Sequence, residues 1–320
     1  MEKLFITGGS GTVGQAFIKK YRKKYKIFSY SRNEKAQTSL KRNFPEIEIL
    51  FGSVENNIEL QNAIRIVRPK ILIHAAALKH VDTAEKQPSL AIKSNMIGSL
   101  NIIESAINYN IGVTVGISTD KACSPDNVYG HTKYLMERVF QEHDNSRNRF
   151  ICCRFGNVAW SNGSVLPYWI KLARENKTLP VTGKDMTRLI FKADSAAKLI
   201  FNAIKIASKE KNFFILSQKM KKVNMYKLAT LISTNNKIVG LRPGEVLYED
   251  LISVREVRFT KELKNNYLVI TPEKIVPKKN RVSKSLSSLN AKEMSQKEMK
   301  ELIKDVNLDG SINLIETQNY

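Results

Sequence analysis

The stretch Thr7-Gly8-Gly9-Ser10-Gly11-Thr12-Val13-Gly14 follows an apolar run, Leu4-Phe5-Ile6, and opens an amphipathic one. Its glycines at 8, 11 and 14 have Gly-x-x-Gly-x-x-Gly spacing. Such a turn lets backbone approach a pyrophosphate closely, and the helix behind it offers free N–H groups and the positive end of its dipole. A strand–turn–helix context is what a dinucleotide fingerprint requires. Gly8, Ser10, Gly11, Thr12, Val13 and Gly14 are therefore expected to hold a dinucleotide, with an ordinary glycine turn as the plainer alternative.

The first two-thirds of the chain alternates apolar and amphipathic segments. Strands are expected at Lys3–Thr7, Lys26–Tyr30, Glu46–Leu50, Ile71–His74, Val113–Ser118 and Phe150–Arg154, and helices near Thr12–Lys24, Glu59–Val67, Ser89–Tyr109 and Val128–Glu142. Continuously apolar strands such as Ile71-Leu72-Ile73 suit a parallel sheet covered on both faces. The fold class is α/β, a doubly wound parallel (Rossmann) sheet with a smaller mixed α/β substrate lobe. After Asn157 the pattern loosens, with helices expected at Ser164–Glu175, Ala193–Ser208 and Met225–Ser233 and short strands around Leu179–Thr182 and Phe213–Leu216. Residues 1–160 form the expected dinucleotide-binding domain. Residues 161–275 are mainly a substrate-binding lobe with segments returning to the sheet, and 276–320 a basic linker (Pro277–Ser288) and a helix opening at Asn290 with Glu293 three residues on.

Composition narrows the function classes. Of 320 residues 42% are hydrophobic, and no apolar run nears the ~18 residues of a membrane span. The N-terminus lacks a signal-peptide pattern. Cys123, Cys152 and Cys153 show no metal spacing; Cys152 and Cys153, in an apolar strand, fit buried small hydrophobes, and a reducing cytoplasm is expected. The net charge of +22 could signal nucleic acid, but the 52 basic residues are scattered through helices without a recognisable binding motif, and no nucleic-acid partner is expected. An anionic small-molecule substrate accounts for the charge as well.

The end of the second strand reads Tyr30-Ser31-Arg32-Asn33-Glu34-Lys35. An acidic residue there would accept from a ribose diol. Arg32, with Ser31 donating and Lys35 adding charge, instead suits a 2′-phosphate and argues for NADP over NAD; the alternative is two ordinary surface cations. After the fifth strand come Ser118-Thr119-Asp120-Lys121, then Tyr129 and Lys133. The last two are i and i+4 on one helix face. An ammonium beside a phenol lowers its pKa from about 10, so that the phenol can take a proton from a sugar hydroxyl.

These motifs resemble an extended short-chain dehydrogenase/reductase, and more narrowly the inverting UDP-N-acetylglucosamine 4,6-dehydratases of polysaccharide biosynthesis, the type that begins pseudaminic acid synthesis. The resemblance runs from Leu4 to about Thr271. It rests on His74-Ala75-Ala76-Ala77-Leu78-Lys79-His80-Val81, Ser118-Thr119-Asp120-Lys121-Ala122, Tyr129-Gly130-His131-Thr132-Lys133, Arg154-Phe155-Gly156-Asn157-Val158, Met186-Thr187-Arg188 and Leu241-Arg242-Pro243-Gly244-Glu245. Asp120-Lys121 is the sharpest of them, because retaining dehydratases carry Asp-Glu there and simple epimerases neither.

The resemblance implies a three-stage reaction. Tyr129 deprotonates O4 as hydride leaves C4 for NADP⁺. Lys121 removes the C5 proton while Asp120 helps the C6 hydroxyl depart. Hydride then returns to C6 and a proton to C5. Lys121 would need a lowered pKa, through desolvation and the Lys133 cation, and Asp120 must carry a proton for its opposite role. Thr119 is expected to bond O4, and Ala75 and Ala76 to line the cofactor with Tyr129 and Lys133. Arg188 and Arg242 are expected on the diphosphate of a UDP-N-acetylhexosamine, with Lys79, Asn157 and Glu245 on the substrate, and Asn95 in a structural role beneath the site. Relatives form dimers or hexamers, so a homo-oligomer without stable membrane insertion is expected. Ser53, Cys123, His131 and Trp160 depart from the family pattern. A 4-epimerase or retaining dehydratase on the same scaffold, and a non-catalytic NADP-binding regulator, are the competing readings.

Overall fold

A computed structural model of the protein describes residues 1–264, 267–272 and 274–304. Its centre is a nine-stranded sheet. We number the first six strands β1 (Glu2–Thr7), β2 (Tyr25–Ser31), β3 (Glu48–Phe51), β4 (Ile71–His74), β5 (Val113–Thr119) and β6 (Arg149–Phe155). They lie in the order β3-β2-β1-β4-β5-β6, extended by Ile215–Gln218 parallel to β6 and then by two antiparallel edge strands, Tyr267–Ile270 and Thr260–Glu262. The doubly wound parallel sheet is thus present. Strand order reverses between β1 and β4, and in such sheets the crevice outside the strand C-termini at that point receives ligand.

Alternation along β1 shows why the sheet is covered on both sides. Leu4 and Ile6 join one apolar cluster with Phe17 and Ile18, and Phe5 joins the opposite one with Leu60 and Ile64. The first partners lie on helix α1 (Thr12–Tyr21) and the second on α3 (Asn57–Val67). A third cluster, Trp160, Leu166, Trp169, Val181, Met186, Val223 and Leu228, forms the core of a smaller lobe. That lobe carries a three-stranded sheet of Lys222–Asn224, Thr187–Phe191 and Asn157–Val158. Among the described residues no helix is long and apolar enough to cross a membrane.

Several expectations change. Helix α2 (Glu34–Asn43) lies where no helix is expected from the sequence. Its buried stripe is just Ala36, Gln37 and Leu40, too sparse to stand out by period. Asn33 caps it by accepting from the Ala36 N–H at 2.9 Å. The single helix expected at Ser89–Tyr109 is interrupted by a π segment, Ile92–Ile97, which carries Asn95. The strand expected at Phe213–Leu216 sits two residues later, at Ile215–Gln218.

The expected linker Pro277–Ser288 also folds back: Leu286–Ser287 pairs antiparallel with Asp250–Ile252. The helix opening expected at Asn290 is absent, because residues 292–294 continue beside Lys222, whose N–H donates to the Lys292 carbonyl and whose carbonyl accepts from the Met294 N–H. The helix instead runs Gln296–Lys304. Its capping box is Ser295 with Glu298, since the Glu298 N–H donates to Ser295 Oγ at 3.3 Å and the Ser295 N–H donates back to Glu298 Oε2 at 2.9 Å. Residues 305–320 of the expected C-terminal helix lie outside the described residues. Ser295→Ala removes half of this reciprocal cap, and a loss of about 1 kcal/mol in urea unfolding is expected.

Candidate active site

The crevice is built by two turns in contact. Gly8 has φ +67°, and a Cβ placed there would lie 2.8 Å from the Ala76 nitrogen. Only glycine permits both that backbone angle and that approach. The Ala75 N–H donates to the Thr7 carbonyl and the Ala76 N–H to Thr7 Oγ1 at 3.3 Å, so β1 and β4 end in one seam. Helix α1 begins there without a side-chain cap, leaving N–H groups of its first turn for an anion. Ser10 is buried, with its hydroxyl 3.4 Å from that of Ser31. Arg32 and Lys35 are exposed at the mouth, Arg32 only loosely paired with Glu55 at 3.5 Å. These residues fit a nicotinamide dinucleotide.

Beneath the crevice, His74 at the end of β4 is fully buried. Its Nδ1 meets Thr7 Oγ1 at 2.9 Å and its Nε2 meets Ser99 Oγ at 3.3 Å. Asn95 donates to the Leu78 carbonyl and to Thr132 Oγ1, and accepts from the Leu78 N–H at 2.8 Å. The π turn thus ties the loop after β4 to the helix Val128–His143, in keeping with the frequency of such turns at functional sites.

That helix carries Tyr129 and Lys133. It is capped by Asn127, whose Oδ1 accepts from the Gly130 N–H at 2.8 Å and whose Nδ2 donates to the Gly244 carbonyl at 3.0 Å. The far side is fixed by a buried ion cluster. Arg154 on β6 donates to both oxygens of Glu137 at 3.0 and 2.6 Å and to Glu256 at 2.9 Å, and Ser118 on β5 donates to Glu137 at 2.6 Å.

Thr119, Asp120 and Lys121 occupy the end of β5 and the turn after it. Thr119 donates to Asp120 Oδ1 at 3.0 Å, and Asp120 Oδ2 is buried without a partner among the described residues. The Lys121 ammonium lies 3.2 Å from Asp120 Oδ1 and 3.1 Å from Oε1 of Glu249. Glu249 was not anticipated from the sequence. It follows Val246-Leu247-Tyr248, just past the Arg242-Pro243-Gly244-Glu245 turn, and no spacing links it to Lys121.

The electrostatics depart from expectation in three respects. Burial pulls the Lys121 pKa down, but Asp120 and Glu249 more than offset it, so the net shift is upward. The cation opposing protonation of Lys121 is Arg188, not Lys133. Lys133 is buried with Nζ 3.2 Å from Met136 Sδ, and burial lowers its pKa to about 8. Burial raises the Tyr129 phenol to about 12; Lys121 pulls it downward, Asp120 upward, and a hydrogen bond with Thr119 downward.

The expected substrate contacts divide. Arg188 is buried, donating to the carbonyls of Thr187, Val246 and Leu247, and so anchors the loop before Glu249 rather than standing open to a diphosphate. Arg242 is exposed and paired with Glu245 at 2.5 Å. Lys79 donates to the Asn162 carbonyl, and Asn157 Nδ2 donates to the Leu189 carbonyl at 3.3 Å, on the far side of the site.

Burial holds the His74 imidazole neutral, lowering its pKa to about 3, with Lys133 acting in the same sense. The unfolded imidazole, near 6.5, binds a proton that the folded one refuses. Stability is therefore intact above pH 6.5 and is lost as pH falls toward 3, at about 1.4 kcal/mol per unit. In urea titrations from pH 6.5 to 4.5, His74→Asn should show a slope shallower by about that amount.

Residues 4–271 match the family described as polysaccharide biosynthesis protein. Over 291 residues the chain is 34% identical to the UDP-N-acetylglucosamine 4,6-dehydratase (inverting) of Campylobacter jejuni, spanning 87% of this chain and 86% of that protein. Over 331 residues it is 31% identical to the UDP-glucose 4-epimerase of Rickettsia bellii, spanning 96% of each. Among solved structures, Pen from Bacillus thuringiensis superposes with a TM-score of 0.87 at 29% identity, over 94% of this chain and 96% of that one. The UDP-glucose 4-epimerase of Thermotoga maritima, at 18% identity and a TM-score of 0.69 over 77% of this chain and 88% of that one, shares the fold. With a match over most of its length and these relatives, the chain belongs to the polysaccharide biosynthesis protein family of short-chain dehydrogenase/reductases.

Proposed function

We propose that the protein is an NADP-dependent, C5-inverting UDP-N-acetylglucosamine 4,6-dehydratase. The observation that carries this reading is the side-by-side placement of Asp120 and Lys121 at the end of β5, near Tyr129 and Thr119. An oxidation at C4 needs only a phenol and its hydroxyl partner. Eliminating water across C5–C6 needs, in addition, a base and an acid close together.

NADP, when bound, supplies hydride acceptance and return. The glycine turn and the start of α1 would hold its pyrophosphate, and Ser31, Arg32 and Lys35 its 2′-phosphate. Tyr129 takes the O4 proton, with Thr119 orienting that oxygen. The phenol rests protonated, so ionisation calls for a nearby cation. Lys133, one helical turn away, is held only by the weak acceptor Met136 Sδ, and its ammonium can turn to supply that charge. Lys121 takes the proton from C5, made acidic by the C4 ketone. Asp120 faces the C6 hydroxyl with Oδ2 and gives that hydroxyl a proton, so that it leaves as water. Arg242, exposed on a loop tied to Asn127, is the cation for the diphosphate, while Lys79, Asn157 and Glu245 border the sugar.

A second reading, a UDP-sugar 4-epimerase, is favoured by the length of the match to the Rickettsia protein. An NMR time course with UDP-N-acetylglucosamine and no added reductant separates the two: a 4-keto-6-deoxy product is expected, and a 4-epimer would establish the other. Lys121→Ala should reduce product formation by at least about a hundredfold with dinucleotide still bound; full activity would remove Lys121 as the base. Arg32→Ala should weaken NADP at least about tenfold in calorimetric titration while leaving NAD unchanged.

A further inference from the structure

Lys121 presents a problem for any reaction in which it acts as a base. Its ammonium is clamped by two carboxylates, and its side chain is 15% exposed, against 0% for Asp120 and 7% for Glu249. Little water reaches the group, so its proton needs a destination inside the protein. Asp120 is poorly placed to receive it. The oxygen facing the ammonium, Oδ1, already accepts from the Thr119 hydroxyl at 3.0 Å and the Lys121 N–H at 2.9 Å, and protonating it would cost both bonds.

Glu249 is better placed. Its Oε1 lies 3.1 Å from Lys121 Nζ, and its other cation, Arg188, is 3.9 Å away with its own N–H groups given to backbone carbonyls. The backbone is pinned on both sides: the Glu249 N–H donates to Ser288 Oγ at 2.9 Å and the Ser288 N–H donates to the Glu249 carbonyl at 2.8 Å. A pinned, dry carboxylate against a dry ammonium is an arrangement in which the neutral acid–amine pair competes with the ion pair.

We propose that Glu249 is the proton store of Lys121, a positioning residue that receives the ammonium proton across the 3.1 Å contact and so frees the amine for C5. One N–H bond breaks and one O–H bond forms, with no change in net charge. The amine then takes the C5 proton, becoming ammonium while Glu249 stays protonated. Inversion brings the new C5 proton to the opposite face of the sugar, and the neutral pair is restored when the Lys121 ammonium gives one proton to solvent as product leaves. The inference rests on the reading of Lys121 as the C5 base, and it deepens that reading.

The transfer conserves the proton count of the pair, so its share of free amine does not vary with pH between the pair's two macroscopic titrations. Without Glu249 the proton must go to solvent, and the free amine grows tenfold per pH unit. The other charged or titratable groups facing Lys121 are Asp120 on the same turn, Arg188 on the strand Thr187–Phe191 and Tyr129 on the helix Val128–His143. They are common to wild type and variant and cancel in a ratio.

The test is the kcat of product formation from UDP-N-acetylglucosamine by full-length wild type, Glu249→Gln and Glu249→Asp between pH 6 and 8. The ratio of Glu249→Gln to wild type should rise about tenfold per unit, whereas Glu249→Asp, which keeps a carboxylate, should hold a constant ratio. A constant ratio for Glu249→Gln would overturn the proposal and leave Glu249 a structural group. A second readout needs no substrate: ¹³Cε titration of Lys121, assigned by its loss in Lys121→Arg. Its midpoint should fall by at least about one unit in Glu249→Gln through loss of the anionic partner, and an unchanged midpoint would overturn the pairing. If wild type forms no keto sugar, the dehydratase reading fails and the lysine titration alone decides whether the two residues share a proton.

Discussion

The Lys121 ammonium between the carboxylates of Asp120 and Glu249 is the contact around which the two lobes are arranged. Removing three charges from water costs several kcal/mol per ion, and such a cluster is retained only where geometry and further hydrogen bonds offset that cost. Here the compensation comes from separate parts of the chain. Thr119 and the β5 turn serve Asp120, Arg188 lies behind Glu249, and Ser288 fixes the Glu249 backbone. The cluster therefore adds directional polar pairing to a junction that also packs Phe155 of the sheet against Phe191 of the smaller lobe. An apolar junction of equal area would hold the lobes together without fixing which atom faces which.

Beside this contact, the Arg154 cluster acts on the helix that bears the phenol. Glu137 is one helical turn beyond Lys133, and the bidentate pair with Arg154, joined by Ser118, registers that helix against β5 and β6 at once. Asn127 registers its other end against the loop of Gly244. Tyr129 is thus located from both ends of its helix, by contacts outside the crevice. The lowered pKa of Lys133 and the raised pKa of Tyr129 both begin with burial, so the positioning itself sets how readily protons move there.

Most of the sheet was legible in the sequence because its signals are local. A glycine turn between a strand and a helix, continuous apolar strands and the i, i+4 pair Tyr129/Lys133 each declare themselves within a few residues. What escaped was long-range or weakly patterned. Helix α2 buries only Ala36, Gln37 and Leu40, too thin a stripe to read. Asn290 with Glu293 has the spacing of a cap, yet that backbone is claimed by Lys222, 70 residues upstream. Glu249 meets Lys121 across 127 intervening positions, and nothing local marks it. The backbone carbonyls that Arg188 holds are equally hidden, because a sequence shows an arginine's charge and not what encloses it.

The return of the chain near its described end has a consequence in time. Ser288 is paired through side chain and backbone with both Glu249 and Thr187. During vectorial synthesis the glycine turn and strands β1 to β6, which end at Phe155, are made well before Ser288. A growing chain can then assemble a dinucleotide crevice while the carboxylate opposite Lys121 still lacks its anchor. The anchor of Glu249 is thus among the last of these segments to be made.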